Sequence, residues 1–193
     1  MNEPARKLTF TFAEYLAQER AGETKRELIN GEIYDMAGGT GEHARLASRT
    51  TVALAAQLRG KPCEVFSADL LVRVLATGMA TYPDLSVICG QFESDPEDKN
   101  VAVKPIILVE ILSDGTESKD RGEKFAHYRR IPSLMEYVLV SQREPRIEVF
   151  RRTEAGWTLS EATAGESVKL HSINGELAVD EIYASALSAP PAR

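Results

Sequence analysis

An acidic residue inside the most apolar run of the chain constrains the fold more than any other feature of the sequence. Residues 105–113 read Pro-Ile-Ile-Leu-Val-Glu-Ile-Leu-Ser, and such a run is typical of a central strand that is covered on both faces. The carboxylate of Glu110 would then be buried, which is costly unless a cation or hydrogen-bond donors compensate it. The alternative is a glutamate that faces solvent at a strand end or pairs with an arginine. The sequence thus predicts a strand over residues 106–112 and marks Glu110 as a candidate functional residue.

A second carboxylate, Asp84, follows Pro83 at the start of another predicted strand, which runs to Cys89. If this strand neighbours the one that carries Glu110, the two carboxylates can share a divalent ion. Mg²⁺ suits such a pair because it binds through a few carboxylates and keeps water and phosphate oxygens, and Mn²⁺ is the other candidate. A metal held there could activate water and neutralise charge on a phosphate. The alternative is that Pro-Asp simply opens an ordinary turn.

The third candidate is a lysine on the helix predicted after this strand. Asp120, Lys124 and Tyr128 recur at intervals of four residues, so they share one helix face. A lysine ammonium beside metal-binding carboxylates could orient the attacking water or stabilise the charge that develops on phosphorus. The alternative is a surface ion pair between Asp120 and Lys124, worth a few tenths of a kcal/mol.

A β-hairpin carries two more acidic residues. Asn-Gly at positions 30 and 31 separates two short runs and predicts a type I′ turn, which needs positive φ at both positions. With that turn, Ile29 pairs with Glu32 and Glu27 pairs with Tyr34. Glu27 and Glu32 therefore project from the same face of the hairpin. They either assist the site or form a solvated acidic face.

His43 lies at the start of a helix predicted from about residue 42 to residue 59, with Gly60 as its C-cap. Ala47, Leu54 and Leu58 mark the buried side of this helix, and His43 falls on the same side at helical spacing. It is either a half-buried structural histidine or a site residue at the mouth of the helix.

Further elements complete the predicted architecture. The first helix begins at a capping box, with Thr11 as the N-cap and Glu14 three positions later, and Gly22 ends it. Residues 76–80 are predicted as a turn, residues 180–187 as a short helix, and the end from Ser188 as frayed. The remaining strands are predicted over residues 63–68, 70–75, 135–140, 146–152, 156–161 and 168–171, the last two extending an antiparallel meander.

Bulk properties narrow the class of protein. At 193 residues, one domain can build a core without metal or disulfide. The formal net charge of −6 argues against tight non-specific DNA binding, although an enzyme can use a local basic patch. Cys63 and Cys89 are predicted to be reduced residues of a cytoplasmic protein. No apolar N-terminal segment and no run of about 18 apolar residues is present, so we expect neither secretion nor membrane spanning.

These motifs, in this order, resemble the bacterial Uma-type family of endonucleases, which has the PD-(D/E)XK restriction-endonuclease fold. The similarity covers about residues 9–152. It is carried by Glu27-Leu28-Ile29-Asn30-Gly31-Glu32, His43, Pro83-Asp84, Val109-Glu110-Ile111-Leu112-Ser113, Asp120-Arg121-Gly122-Glu123-Lys124 and Tyr128.

The resemblance implies an α/β fold with a mixed central sheet flanked by helices, and an antiparallel C-terminal extension over about residues 153–187. It implies Asp84 and Glu110 as metal ligands. The superfamily pattern expects the lysine where this chain has Leu112, so Lys124 would take that role. The other site residues that we predict are Glu27, Glu32 and His43 in the cleft, Asp120, Tyr128 and Ser113 in support, and Lys119, Arg121 and Arg45 at the phosphate backbone.

The loop after Glu110 departs from the pattern. The family often has Ser-Pro-Ser-Thr there, whereas this chain has Ser-Asp-Gly-Thr at residues 113–116, which adds the carboxylate of Asp114 and alters the loop beside the site.

Taken together, the motifs and the resemblance predict a Mg²⁺-dependent endonuclease acting on DNA. The alternatives are a non-catalytic nucleic-acid- or protein-binding module on the same fold, and a structural homo-oligomer paired through its C-terminal strands. A homodimer is compatible with all three.

Overall fold

The computed structural model describes residues 9–36 and 38–185. The predicted frayed end from Ser188 lies outside these residues. The helical elements are α1 (Phe12–Ala21), α2 (Gly41–Gln57), α3 (Glu117–Lys119), a π-helical turn (Asp120–Lys124), α4 (Phe125–Tyr128), a 3₁₀ turn (His171–Ile173) and α5 (Val179–Tyr183).

A six-stranded mixed sheet forms the centre of the molecule. In spatial order its strands are β10 (Gly156–Thr163), β9 (Arg146–Thr153), β8 (Glu136–Ser141), β7 (Ile107–Leu112), β6 (Leu85–Cys89) and β3 (Cys63–Ser67). Strands β7 and β8 are parallel, and the other neighbours are antiparallel. The segment α3–π turn–α4 makes the crossover between the two parallel strands, as a parallel pair requires.

Strand β7 is covered on both faces, as its composition predicts. Ile107, Val109 and Ile111 pack in one cluster with residues of α2 and of the C-terminal elements. Leu108 and Leu112 belong to the cluster on the opposite face, which includes Tyr128 of α4. Because side chains alternate along a strand, Glu110 points to the same face as Leu108 and Leu112. The fold therefore directs this carboxylate toward the crossover helix.

A smaller antiparallel sheet lies beside the central one. Its strands, in spatial order, are β2 (Glu32–Asp35), β1 (Arg26–Ile29), β5 (Ala80–Thr81) and β4 (Val72–Arg73). The hairpin register is the predicted one, with Glu27 opposite Tyr34, and Asn30 and Gly31 have φ of 52° and 78°. The turn prediction for residues 76–80 was wrong at Ala80, which pairs with Leu28 of β1 and so places β5 between β1 and β4.

Both long helices begin close to where the sequence predicts. The capping box of Thr11 and Glu14 is formed, and Phe12, Tyr15 and Leu16 are buried. Helix α2 begins after Thr40, whose side chain accepts a hydrogen bond from the backbone N–H of His43. Its C-cap is Leu58 rather than the predicted Gly60.

The C-terminal extension does not continue the meander, so that prediction was wrong for its last strand. Strand β10 pairs with β9, but β11 (Ser167–Leu170) pairs with β12 (Gly175–Ala178) in a separate two-stranded sheet. The reason lies in the 3₁₀ turn, after which Asn174 adopts a left-handed conformation and reverses the chain. The turn is held against the central sheet by the buried carboxylate of Glu136.

The prediction of reduced cysteines was also wrong. Cys63 of β3 lies directly opposite Cys89 of β6, and the two form a disulfide with their Cα atoms 3.9 Å apart. Cross-strand register, which joins positions 26 residues apart in the chain, brings the thiols together. None of the helices in the described part of the chain combines the length and apolar character that crossing a bilayer requires.

Candidate active site

Asp84 and Glu110 are neighbours across two strands. The β6–β7 register pairs Leu85 with Val109, which brings the preceding Asp84 opposite Glu110. The backbone N–H of Asp84 donates to Oε2 of Glu110 over 3.4 Å, and Asp84 Oδ2 accepts from the backbone N–H of Ile111 over 2.6 Å. The predicted adjacency of the two carboxylates is confirmed.

Glu110 is buried among groups that hold its orientation. Its Oε1 accepts hydrogen bonds from Lys124 Nζ at 3.3 Å and from the Tyr128 hydroxyl at 3.0 Å. The Tyr128 hydroxyl also bonds to Thr81 Oγ1 at 2.8 Å. Burial is the main cause that raises the pKa of Glu110 well above its usual range, and the nearby carboxylate of Asp120 acts in the same direction.

Lys124 lies between three carboxylates. Its Nζ is 2.9 Å from Glu27 Oε1, 3.3 Å from Glu110 Oε1 and 3.4 Å from Asp120 Oδ1, and all four side chains are buried. Burial by itself would lower the pKa of Lys124, but the three carboxylates outweigh burial and raise the pKa well above its usual range. The lysine is therefore charged, and the cluster holds more carboxylates than cations.

A π-helical turn presents this lysine. The helix predicted after the Glu110 strand is an α-turn (α3), then a π-turn over Asp120–Lys124, then α4. Thr116 is the N-cap, although its side chain makes no capping hydrogen bond. Asp120, Lys124 and Tyr128 do share one face, since all three point to the Glu110 carboxylate region. Such turns interrupt helices most often at functional sites.

His43 reaches the site from the N-terminus of α2. Its Nε2 lies 3.1 Å from Asp84 Oδ2, and this hydrogen bond is the main cause that raises the pKa of His43. The imidazole lies so close to the preceding loop that a Cβ on Gly39 would approach His43 Nδ1 to 2.9 Å. Helix α2 and its glycine loop therefore place the histidine on the outer side of Asp84.

Of the two hairpin glutamates, Glu27 reaches the cluster. Glu27 contacts Lys124, whereas the Glu32 carboxylate accepts a hydrogen bond from the Tyr34 hydroxyl at 2.7 Å. Ser113 Oγ hydrogen-bonds with Thr116 Oγ1 in the loop after β7. The extra carboxylate of this loop, Asp114, is exposed and pairs with Arg143.

The three predicted phosphate contacts have different surroundings. The Arg121 guanidinium pairs with Glu117 and Glu148. Arg45 pairs with Glu42 and donates to backbone carbonyls at the end of α5. Lys119 Nζ lies 3.8 Å from the centre of the Tyr34 ring, at the edge of the site. Two of the three cations are thus engaged within the protein, and a phosphate role stays a prediction for each.

Comparison with known protein families gives a match over most of the chain. Residues 12–180 match the model of the Uma2 family, described as "Putative restriction endonuclease". The chain belongs to the Uma2 family. Two relatives come from Synechocystis sp.: "Uncharacterized protein slr1290" is 35% identical over 88% of this chain and 89% of its own length, and "Uncharacterized protein sll1609" is 30% identical over 83% and 90%.

A solved structure shows the same fold. The crystal structure of "a putative nuclease belonging to DUF820" from Anabaena variabilis superposes with a TM-score of 0.74 at 17% identity, covering 90% of this chain and 97% of that one. The restriction-endonuclease-like mixed sheet with flanking helices is therefore the fold of this Uma2 chain.

Some residues that complete the site carry weak sequence signals. Thr81 supports Tyr128, but it falls at the end of a segment that looks like a turn. Glu148 anchors Arg121 and alternates with the buried Ile147 and Val149, so the apolar flanks that mark Glu110 also mark it. Glu110 and Glu148 thus share one sequence signal, an acidic residue flanked by apolar residues in a strand. Only the fold shows which side chain each of them contacts.

The donor set fits a hard divalent cation. Among residues 9–36 and 38–185, no three His, Cys, Asp or Glu side chains form a ready-made metal cage. Mg²⁺ does not require one, because it takes one or two carboxylates and fills the remaining positions with water and phosphate oxygens. Asp84 and Glu110 supply such a pair, and three carboxyl groups surround the single ammonium of Lys124.

Proposed function

We propose that this protein is a metal-dependent endonuclease that hydrolyses DNA phosphodiester bonds. The observation that carries the proposal is the imbalance of buried charge. Glu27, Glu110 and Asp120 surround the single ammonium of Lys124, and Asp84 lies directly beside Glu110. Buried charges are ordinarily paired, so a surplus of carboxylates at one sheet edge favours a site that binds a cation with its ligand.

In this proposal Asp84 and Glu110 hold Mg²⁺ or Mn²⁺. When bound, the ion would supply Lewis acidity toward a phosphoryl oxygen and lower the pKa of water. The chain's own residues fix the two ligands: Tyr128 and Lys124 donate to Glu110, while His43 and the N–H of Ile111 hold Asp84. These contacts keep both carboxylates in place before substrate arrives.

Lys124 supplies the fixed positive charge. Its ammonium is oriented by Glu27 and Asp120 and stays protonated because of them. An ammonium with three N–H donors can hold the attacking water or a phosphoryl oxygen through the rise in negative charge at the transition state. We expect Lys124→Met to leave metal binding measurable and to slow cleavage about 10²- to 10³-fold, the usual cost of losing one such donor.

Calorimetric titration with Mg²⁺ and with Mn²⁺ tests the metal site. The proteins compared are wild type, Asp84→Ala and Glu110→Ala, each checked for folding by circular dichroism. Asp114→Ala is the matched control, since this carboxylate is exposed and lies in the loop that follows β7. We expect saturable binding to wild type and to the control, and none to the two site variants.

Cleavage of plasmid DNA and of a labelled oligonucleotide is then measured with the same proteins. We expect hydrolysis by wild type and the control only, and only with a divalent cation. Metal binding that is unchanged in both Asp84→Ala and Glu110→Ala would contradict the two-carboxylate site. Metal binding without cleavage of any DNA would favour the non-catalytic nucleic-acid- or protein-binding module.

A further inference from the structure

An exposed aromatic ring lies at the rim of the carboxylate–lysine cluster. Tyr34 of β2 is directly opposite Glu27 of β1, and Glu27 contacts Lys124. Directly opposed residues project to the same face of a hairpin with their Cβ atoms about 5 Å apart. Tyr34 is 38% exposed, and the three apolar clusters of the described residues do not include it. The ring is therefore next to the site without being part of the core.

Two charged residues hold this ring in position. The Tyr34 hydroxyl donates to Glu32 Oε2 at 2.7 Å, and Lys119 Nζ lies 3.8 Å from the ring centre. Lys119 directly precedes Asp120 of the cluster, so the ring and the ammonium meet at the same rim. The ammonium covers one face of the ring. A base would stack on the opposite face, and the ammonium would contact a phosphate of the same strand.

We propose that Tyr34 and Lys119 form a nucleotide subsite for an unpaired base beside the site of hydrolysis. This inference rests on the proposed nuclease function and specifies its substrate: a single strand, or a strand whose base has left the stack. A base inside a duplex has both faces covered by its neighbours, whereas an unstacked base can lie against an aromatic side chain.

The charges around the site favour a single strand as well. Duplex binding depends on many phosphate contacts from a basic surface. Arg121 and Arg45 are paired with carboxylates of the protein, and Arg143 pairs with Asp114. The ammonium of Lys119 lies over the Tyr34 ring. One base stack and one phosphate contact suit a flexible strand better than a rigid helix.

Fluorescence anisotropy tests the subsite with a labelled oligo-deoxythymidine strand and with a labelled duplex of the same length. Ca²⁺ is present, because it binds carboxylate oxygens in flexible geometry and neutralises the cluster. We expect the wild type to bind the single strand more tightly. Tyr34→Ala should weaken that binding about ten-fold or more, as loss of one base stack does, and Tyr34→Phe should stay within about two-fold because it keeps the ring.

Two further variants make the comparison specific. Phe92→Ala removes another ring of 38% exposure far along the chain and should leave the affinity unchanged. Lys119→Met should weaken binding several-fold and reduce its dependence on salt. All variants are checked for an unchanged thermal unfolding temperature.

The outcomes separate the two proposals. Equal affinity of Tyr34→Ala and wild type for the single strand, or a wild type that prefers the duplex, would overturn the subsite while metal binding and cleavage stand. A wild type that neither binds nor cuts any DNA would overturn the nuclease function and the subsite together.

Discussion

Two buried glutamates on adjacent strands have opposite environments. Glu110 of β7 and Glu136 of β8 both lie among buried apolar residues of the central sheet. The carboxylate of Glu136 accepts hydrogen bonds from the backbone N–H groups of His171 and Ser172 and from the Ser172 hydroxyl. The carboxylate of Glu110 instead lies beside an ammonium that it shares with other carboxylates.

The difference separates a structural carboxylate from one able to bind a ligand. Neutral donors fixed by the 3₁₀ turn satisfy the hydrogen-bonding capacity of Glu136. Its carboxylate therefore connects the C-terminal extension to the sheet and does not need a ligand. Around Glu110 three carboxyl groups surround one ammonium, so a bound cation that favours their ionised forms can stabilise the folded protein. Burial alone does not distinguish the two residues, since Glu110 is 4% exposed and Glu136 is fully buried.

The largest effect on stability is expected from removing the structural carboxylate. Glu136→Ala leaves three donors of the 3₁₀ turn without an acceptor, and we expect the free energy of unfolding to fall by about 3 kcal/mol. Urea denaturation followed by circular dichroism measures this. Glu136→Gln keeps an acceptor oxygen and should lose less. A loss below about 1 kcal/mol for Glu136→Ala would show that the turn is held by other contacts.

The same neutral substitution should act differently at the other glutamate. Glu110→Gln removes one ionisable carboxyl group from a cluster in which carboxyl groups outnumber cations, and Lys124 keeps Glu27 and Asp120 as partners. In EDTA we expect the free energy of unfolding to stay within about 1 kcal/mol of wild type or to rise. Parallel urea titrations of Glu110→Gln and Glu136→Gln make the comparison. A larger loss at Glu110 would mean that this carboxylate, too, is structural.

The smallest effect concerns the loop beside His43. Gly39→Ala places a Cβ 2.9 Å from Nδ1 of the imidazole, so the ring must shift and its contact with Asp84 must change. Gly38→Ala is the matched control, since no atom lies within 4 Å of its Cβ position. We expect both variants to unfold within about 0.5 kcal/mol of wild type and only Gly39→Ala to alter Mg²⁺ affinity, by a few-fold. Equal calorimetric titrations would show that His43 does not support Asp84.

Local rules predicted much of the fold. Turn chemistry at Asn30 and Gly31 predicted the hairpin and its register, and the capping box at Thr11 predicted the start of α1. The apolar run around Glu110 predicted a central strand buried on both faces. Each of these predictions depends on neighbours in the chain, which a sequence displays directly.

Apart from the C-cap of α2, the errors concern contacts between distant parts of the chain. The donors that satisfy Glu136 come 35 residues later, and the disulfide depends on cross-strand register between Cys63 and Cys89. The carboxylate that engages Arg121 lies two strands away along the chain, at Glu148. A sequence shows that a charge is buried, but the fold decides which group meets it. Hence Asp84, Glu110 and Lys124 could be proposed together, while the surroundings of Arg121 and Arg45 could not.

The π-helical turn has a consequence for how this protein can change by insertion and deletion. A π-turn holds one more residue than the α-turn it replaces, and each residue of an α-helix rotates the next by about 100°. Loss of a single residue between Asp120 and Lys124 would restore a regular helix and turn Tyr128 away from the carboxylate it contacts. Elsewhere in a surface helix such a deletion shifts packing. Here it would separate Tyr128 from Glu110. In this protein the length of the turn therefore matters to the cluster as much as the identity of its residues does.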